Sequence, residues 1–119
     1  MNRLLIVDVD VDLCKGLAEL LTDAGCDVVA ANDAESGLAL LVKNGFDVIF
    51  LDIKLPGMSG IELLQEIRNR PPKAKIYIIS GAPDAQEQLE AGGVSHMTTG
   101  VLRKPFDMDR LLKIVGCEL

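Results

Sequence analysis

The chain has 119 residues and a formal net charge of −6, with 49% hydrophobic and 25% charged residues. This length and balance predict one globular domain over residues 1–119 and exclude a disordered chain. The negative charge argues against direct binding of nucleic acid, and no apolar run approaches the roughly 20 residues that span a membrane.

The three cysteines, Cys14, Cys26 and Cys117, are odd in number and scattered along the chain. Disulfide frameworks are typical of secreted proteins with paired cysteines, so we interpret these three as buried, reduced thiols. The N-terminus has the composition of a strand and carries Asp8 early, which does not fit a signal peptide. We therefore expect a cytoplasmic protein.

Short apolar runs alternate with helical patterns, an order typical of a parallel α/β sheet. The runs predicted to be strands are 4–7, 28–30, 46–51, 76–79 and 101–102. Apolar residues at helical spacing predict helices after each strand. The periodic apolar residues that predict their core faces lie within the spans Leu13 to Ala24, Ala34 to Val42, Ile61 to Ile67 and Met108 to Val115. A short polar helix is predicted over about 84–91. Gly25 is expected to end the first helix, and Asp33 and Asp107 are predicted N-caps.

Four polar residues each follow or end an apolar run: Asp8, Asp52, Ser80 and Lys104. The carboxyl ends of parallel strands meet at one edge of the sheet, where open α/β sheets place their sites. We therefore expect these side chains to converge. Each also has a plainer interpretation, since Asp8 could cap a helix, Ser80 could lie in a turn and Lys104 could be a solvated charge.

Three motifs carry a resemblance to a known family. They are residues 51–64, which contain Asp52 and Pro56-Gly57, the segment Lys104-Pro105-Phe106, and the start Ile6-Val7-Asp8. In order and spacing they resemble the receiver domain of two-component response regulators, of the single-domain, chemotaxis-regulator kind. The resemblance covers essentially the whole chain, with no effector domain visible. It implies a doubly wound, five-stranded parallel sheet of order 2-1-3-4-5 in a flavodoxin-like three-layer sandwich with five helices.

The resemblance also implies a chemistry. Asp52 would be the phosphoacceptor, and Ser80 and Lys104 would contact the phosphoryl oxygens. A carboxylate attacks phosphorus readily only when positive groups neutralise those oxygens. The chain would act as a signalling phosphoacceptor and not as an enzyme, beyond self-phosphorylation from small donors and self-dephosphorylation.

Mg²⁺ is the cofactor that the resemblance implies, because it takes oxygen ligands and keeps positions for water and phosphate. Its ligands would be Asp8, Asp52 and the backbone carbonyl of Lys54, with Asp10 as a further candidate. Receiver domains usually carry two adjacent acids after the first strand, but here Val9 replaces the second. We therefore expect weak Mg²⁺ binding.

Two further departures concern signal output. Val101 occupies the position of the family's switch aromatic, and its stiff, apolar side chain cannot form a hydroxyl relay. The connection over residues 91–100 is longer than usual, and its Gly and Thr content predicts mobility. A signal would then have to pass through backbone shifts of the fourth helix and fifth strand.

The partners implied are a histidine kinase or phosphotransfer protein and a downstream target or effector domain, with a homodimer also considered. Phosphorylation would alter partner binding through the face formed by helix 4, strand 5 and helix 5. An atypical receiver that acts as a phosphorylation-independent docking or dimerisation module stays open as an alternative. A more remote one is a haloacid dehalogenase-type phosphatase, since Asp8 and Asp10 have the Asp-x-Asp spacing of that class.

Overall fold

The computed structural model describes residues 3–43, 45–55, 58–68, 74–93, 95–104 and 106–116. Its strands are β1 (Arg3–Val7), β2 (Asp27–Ala31), β3 (Val48–Asp52), β4 (Lys75–Ser80) and β5 (Gly100–Arg103). Its α-helices are α1 (Val11–Asp23), α2 (Ala34–Lys43), α3 (Gly60–Arg68), α4 (Ala85–Ala91) and α5 (Met108–Ile114), and Ser95–Met97 forms a 3₁₀ turn.

The strands form one parallel sheet in the order β2-β1-β3-β4-β5. This confirms the predicted fold class. β3 lies at the centre and is buried along its whole length, which explains why residues 48–51 are an unbroken apolar run. Val7 pairs with Leu51 in β3 and with Ala31 in β2, so β1 and β3 end at nearly the same level of the sheet.

Two apolar clusters, one on each face of the sheet, form the core. Alternate residues of β3 divide between them, because successive side chains of a strand point to opposite faces. Ile49 and Leu51 pack in the cluster with α2, α3 and α4, whereas Val48 and Phe50 pack with α1 and α5. The chain is therefore a three-layer sandwich, with the sheet between two layers of helices.

Two residues predicted to lie in the core are exposed instead. Val42 is 61% exposed, because α2 meets β1 through Gly37, where an added Cβ would lie 3.1 Å from a methyl group of Val7. That close approach turns Ala34 and Gly37 toward the sheet and Val42 away from it. Met108 is 45% exposed at the first residue of α5, a helix whose buried residue is Leu111.

The predicted helix ends are confirmed. Asp33 Oδ1 accepts a hydrogen bond from the N–H of Ser36 at 2.7 Å, and Asp107 Oδ1 accepts one from Asp109 at 3.0 Å. Gly25 has a φ of 95°, a left-handed conformation that glycine adopts without strain and that ends α1.

The connection between α4 and β5 is held by specific contacts where it is described, although mobility was predicted there. Arg68 Nε donates to the carbonyl of Met97 at 2.7 Å, and its Nη1 donates to the carbonyl of Ala74 at 2.9 Å. Thr99 N–H donates to the carbonyl of Ile76 at 2.7 Å. These bonds tie the connection to the end of α3 and the start of β4.

Cys14 and Cys26 are buried and form no disulfide, as predicted, and Cys117 lies outside the described residues. Pro56, Gly57 and Pro105, which belong to the motifs above, also lie outside them. None of the helices within the described ranges is long and apolar enough to cross a membrane.

Candidate functional site

The four strand-end residues converge at the carboxyl edge of the sheet. Asp52 and Ser80 are the last residues of β3 and β4, and Asp8 and Lys104 directly follow β1 and β5. Asp8, Asp52 and Ser80 are the polar or charged residues that are buried in the described part of the chain, at 0%, 6% and 3% exposure. Buried carboxylates are rare unless they are paired, so this edge is a strong candidate for a site.

Lys104 joins the two carboxylates. Its Nζ lies 2.6 Å from Oδ2 of Asp8 and 3.5 Å from Oδ2 of Asp52. Burial alone would lower the pKa of Lys104, but the contacts with Asp8 and Asp52 together outweigh it, and the pKa is raised. The ammonium group therefore stays charged and partly neutralises both acids.

Asp52 is held in place from two sides. Its Oδ1 accepts a hydrogen bond from the N–H of Lys54 at 3.1 Å, while Oδ2 faces Lys104. Burial raises the pKa of Asp52, with the Asp8 carboxylate acting in the same direction, whereas Lys54 N–H and Lys104 act against them. A buried carboxylate with a raised pKa at a sheet edge is typical of a reactive position.

Gly60 fixes the backbone around Asp52. The N–H of Gly60 donates to the carbonyl of Ile53 at 3.0 Å, so the start of α3 packs directly on the chain that leaves β3. A Cβ at position 60 would lie 2.3 Å from the carbonyl oxygen of Asp52 and 2.6 Å from Cα of Ile53. The sequence indicated only that Ser59-Gly60 opens a helix, because a close approach between two backbones leaves no periodic signal.

Asp8 is fully buried, but its two oxygens differ. Oδ1 accepts a hydrogen bond from the N–H of Asp10 at 2.9 Å. Oδ2 is in ion-pair contact with Lys104 but accepts no hydrogen bond of acceptable geometry from the described residues. Such an oxygen is costly to bury unless a positive charge compensates it, which makes it a natural ligand for a cation.

Asp10 lies at the start of the first helix. It is the N-cap of α1, and its Oδ1 accepts a hydrogen bond from the N–H of Leu13 at 3.1 Å. Within the described ranges, no group of three or more acidic, His or Cys side chains could hold a metal ion. The structure joins Asp8 and Asp52 through Lys104, whereas Asp10 Oδ1 is used by the cap of α1.

Ser80 lies beside Asp52 in the sheet, since Asp52 pairs with Ile79, the residue before it. Its Oγ accepts a hydrogen bond from the N–H of Ala82 at 3.0 Å, so its hydroxyl hydrogen can still be donated. The carbonyl of Ser80 accepts a hydrogen bond from the N–H of Lys104 at 2.9 Å. The two residues are thus coupled through the backbone at the ends of β4 and β5.

Val101 is half-buried in β5, opposite Ile78, and packs against the cluster that contains α3 and α4. Its side chain has no polar group, so it cannot form a hydrogen-bond relay from the site to the surface. A structural change at Ser80 or Lys104 can reach this part of the sheet only by moving backbone or apolar contacts.

A parallel 2-1-3-4-5 sheet whose carboxyl edge carries two buried acids, a hydroxyl and a lysine defines the phosphoacceptor class of signalling domains. The family model for the response regulator receiver domain matches residues 4–116. The chain belongs to this family, which is a signalling module of two-component systems and not a classical enzyme.

Known relatives agree with this assignment. A response regulator receiver protein of Anaeromyxobacter is 37% identical over 116 residues, which cover 96% of this chain and 47% of that protein. The uncharacterized transcriptional regulatory protein YrkP of Bacillus subtilis is 39% identical over 119 residues, covering 98% and 49%. The chain thus spans about half the length of these curated relatives.

A solved structure shows the same fold. The structure of the chemotaxis protein CheY4 of Vibrio cholerae superimposes with a TM-score of 0.82 at 31% identity. The match covers 100% of this chain and 99% of that one.

Proposed function

We propose that this chain is a phosphoacceptor that receives a phosphoryl group on Asp52 from the phosphohistidine of a histidine kinase or phosphotransfer protein. The observation that carries the proposal is the Lys104 ammonium shared between the buried carboxylates of Asp52 and Asp8. A nucleophile, a second acid and a fixed positive charge are the parts that phosphoryl transfer to a carboxylate requires.

In the transfer, an oxygen of Asp52 forms the new bond to phosphorus as the bond from phosphorus to the histidine nitrogen breaks. The electron pair of that bond stays on the imidazole. The nucleophile in this step is the ionised carboxylate of Asp52, which needs no base to activate it. Lys54 N–H holds Oδ1 and thereby orients the carboxylate.

Lys104 and Ser80 would then act on the product. The Lys104 ammonium leaves Asp8 and contacts a phosphoryl oxygen, forming a charge-assisted hydrogen bond. The hydroxyl of Ser80 donates to another oxygen. The N–H of Lys104 donates a hydrogen bond to the carbonyl of Ser80. The movements of Lys104 and Ser80 toward the phosphoryl group would therefore displace the ends of β4 and β5 together.

The residues fit Mg²⁺, the cofactor that receiver domains generally bind. The buried Oδ2 of Asp8 has no hydrogen-bond partner among the described residues, and it lies near a second buried carboxylate. Asp8, Asp52 and the carbonyl of Lys54 would hold the ion, and the ion would supply positive charge to the phosphoryl oxygens. With Val9 in place of an acid, the site offers two carboxylates, which supports weak binding.

Output would proceed through the face formed by α4, β5 and α5. YrkP, named as a transcriptional regulatory protein, is about twice as long as the part that matches this chain. A downstream protein or an effector domain is therefore the partner that we propose for this face, with self-association as a further outcome to be measured.

Intact-mass spectrometry after incubation with Mg²⁺ and acetyl phosphate tests the proposal. We expect one phosphoryl adduct, mapped to Asp52 and absent from Asp52→Asn. Beryllofluoride, which mimics the phosphoryl group, should shift amide resonances of Ser80 and Lys104. A folded chain that gives no adduct at millimolar Mg²⁺ would contradict the proposal.

A second candidate is a docking or dimerisation module that works without phosphorylation. The observation that favours it is Val9, which leaves the cation site one carboxylate short. This module would bind its partner equally well with and without beryllofluoride, whereas the phosphoacceptor would not.

A further inference from the structure

Two side chains outside the strand-end site hold the backbone of Asp8. Asn32 Nδ2 donates a hydrogen bond to the carbonyl oxygen of Asp8 at 2.9 Å, and Sγ of Cys14 lies 3.6 Å from the same oxygen. Burial, and next the charges of Asp8 and Asp10, raise the pKa of the Cys14 thiol, so it stays protonated and can donate weakly. The two hydrogen-bond donors to this carbonyl oxygen are therefore both side chains.

Asn32 extends the pairing of β1 and β2 beyond the end of the strands. The N–H of Asp8 donates to the carbonyl of Ala31 at 3.0 Å, and β2 ends at that residue. A parallel ladder would continue with a backbone donor from the neighbouring strand. Here the chain turns into α2 at the Asp33 cap, and the amide of Asn32 supplies the next hydrogen bond.

This bond restrains the backbone that carries the Asp8 carboxylate. Oδ1 is held by the N–H of Asp10, only two residues along the chain, so the side chain follows the local backbone. If the peptide after Asp8 rotates, Oδ2 moves away from Asp52 and Lys104. The orientation of Asp8 matters more here than in a site with two adjacent acids, because Val9 cannot act as a second ligand of the cation.

We propose that Asn32 is a positioning residue that orients Asp8 as the only acid of the β1 end that faces the cation site. The proposal rests on the proposed function, since it assumes that Asp8 contacts Mg²⁺. Asn32 is half-buried and directly follows β2, and its amide contacts the backbone of Asp8. It acts through the backbone of Asp8, much as residues behind a metal ligand orient that ligand in other sites.

Mg²⁺ titration of the whole chain, followed by amide NMR shifts, tests the role of Asn32. Asn32→Ala and the nearly isosteric Asn32→Leu should each raise the Mg²⁺ dissociation constant by about tenfold or more. Asp33→Ala is the matched control. It removes the neighbouring cap of α2 and should lower the melting temperature while leaving the dissociation constant unchanged.

The outcomes separate a positioning role from a structural one. If the Asn32 variants lower only the melting temperature, and bind Mg²⁺ as the unsubstituted chain does, the inference is wrong. Equal weakening in Asp33→Ala would also overturn it, because general destabilisation would then explain the effect. If the unsubstituted chain itself binds no Mg²⁺, the cation part of the proposed function fails and the inference fails with it.

Discussion

Nζ of Lys104 lies closer to Asp8 than to Asp52, at 2.6 Å against 3.5 Å. The ammonium group thus occupies the neighbourhood of the oxygen best suited to a divalent cation. The proposed Mg²⁺ ion would compete with Lys104 for the Asp8 carboxylate, and the binding of one should release the other. The competition links cation binding to the freedom of Lys104 to reach a phosphoryl group.

Replacing Lys104 tests this competition. Lys104→Met leaves two buried carboxylates without their partner, so we expect a loss of about 3 kcal/mol in the free energy of unfolding without metal. Mg²⁺ should then raise the melting temperature more in the variant than in the unsubstituted chain, because no ammonium competes. Lys113→Met, on the exposed last turn of α5, is the control and should change neither quantity. Equal Mg²⁺-induced shifts in both proteins would refute the competition.

The raised pKa of Asp52 predicts the pH dependence of stability. The folded chain holds the Asp52 proton more tightly than the unfolded chain. The contribution of Asp52 to the free energy of unfolding is therefore fully present below about pH 3.8, the ordinary pKa of an aspartate. That contribution is lost as the pH rises through the pKa of Asp52 in the folded chain. Asp52→Asn should therefore be more stable than the unsubstituted chain at neutral pH. Urea unfolding at several pH values measures the difference, which should shrink toward strongly acid pH. A difference that stays constant with pH would show that the charge of Asp52 is not its cause.

Lys104 predicts how stability depends on pH in the alkaline range. Its pKa is raised above 10.5, so its stabilising contribution is present at neutral pH and is lost as the pH rises through its folded pKa. The alkaline loss of stability should be smaller in Lys104→Met than in the unsubstituted chain.

Gly60 provides a steric test of how Asp52 is held. Gly60→Ala places a Cβ 2.3 Å from the carbonyl oxygen of Asp52, so the backbone must shift, at a cost of about 1–3 kcal/mol or more. Phosphorylation from acetyl phosphate should also slow, because the same backbone carries Asp52, the proposed nucleophile. Gly16→Ala is the matched control, since nothing lies within 4 Å of its added Cβ and a helix gains about 0.5–1 kcal/mol from the exchange. Equal phosphorylation rates in the two variants would contradict the role of Gly60.

Restoring the missing acid tests the cation site. Val9→Asp adds a carboxylate beside Asp8 and should strengthen Mg²⁺ binding by roughly an order of magnitude, because cation affinity follows ligand charge. Val9 is 53% exposed, so the effect on stability should stay within about 0.5 kcal/mol. Val11→Asp, at a position that is 47% exposed at the start of α1, is the control for added charge. If both variants bind Mg²⁺ equally, long-range charge and not ligation explains the change.

The local periodicity of the chain predicted most elements correctly. Strand positions, the helix end at Gly25 and the caps at Asp33 and Asp107 depend on neighbouring residues, so they could be predicted from a short stretch of sequence. The sheet order came from the family resemblance, and the structure confirms it. Val42 was misplaced because its exposure depends on how closely α2 approaches β1 at Gly37.

The sequence by itself determined which polar residues end the strands, because an acid, a hydroxyl or an ammonium after an apolar run is a local signal. Only the tertiary structure decided which of them meet. It paired Lys104 with Asp8, brought the amide of Asn32 to the Asp8 carbonyl and assigned Asp10 to the cap of α1. The first two of these contacts join residues 96 and 24 positions apart, and such contacts depend on strand order and on where neighbouring strands end. The Asp10 cap is local, but it competes with a role at the cation site, and that choice depends on how the β1–α1 turn packs.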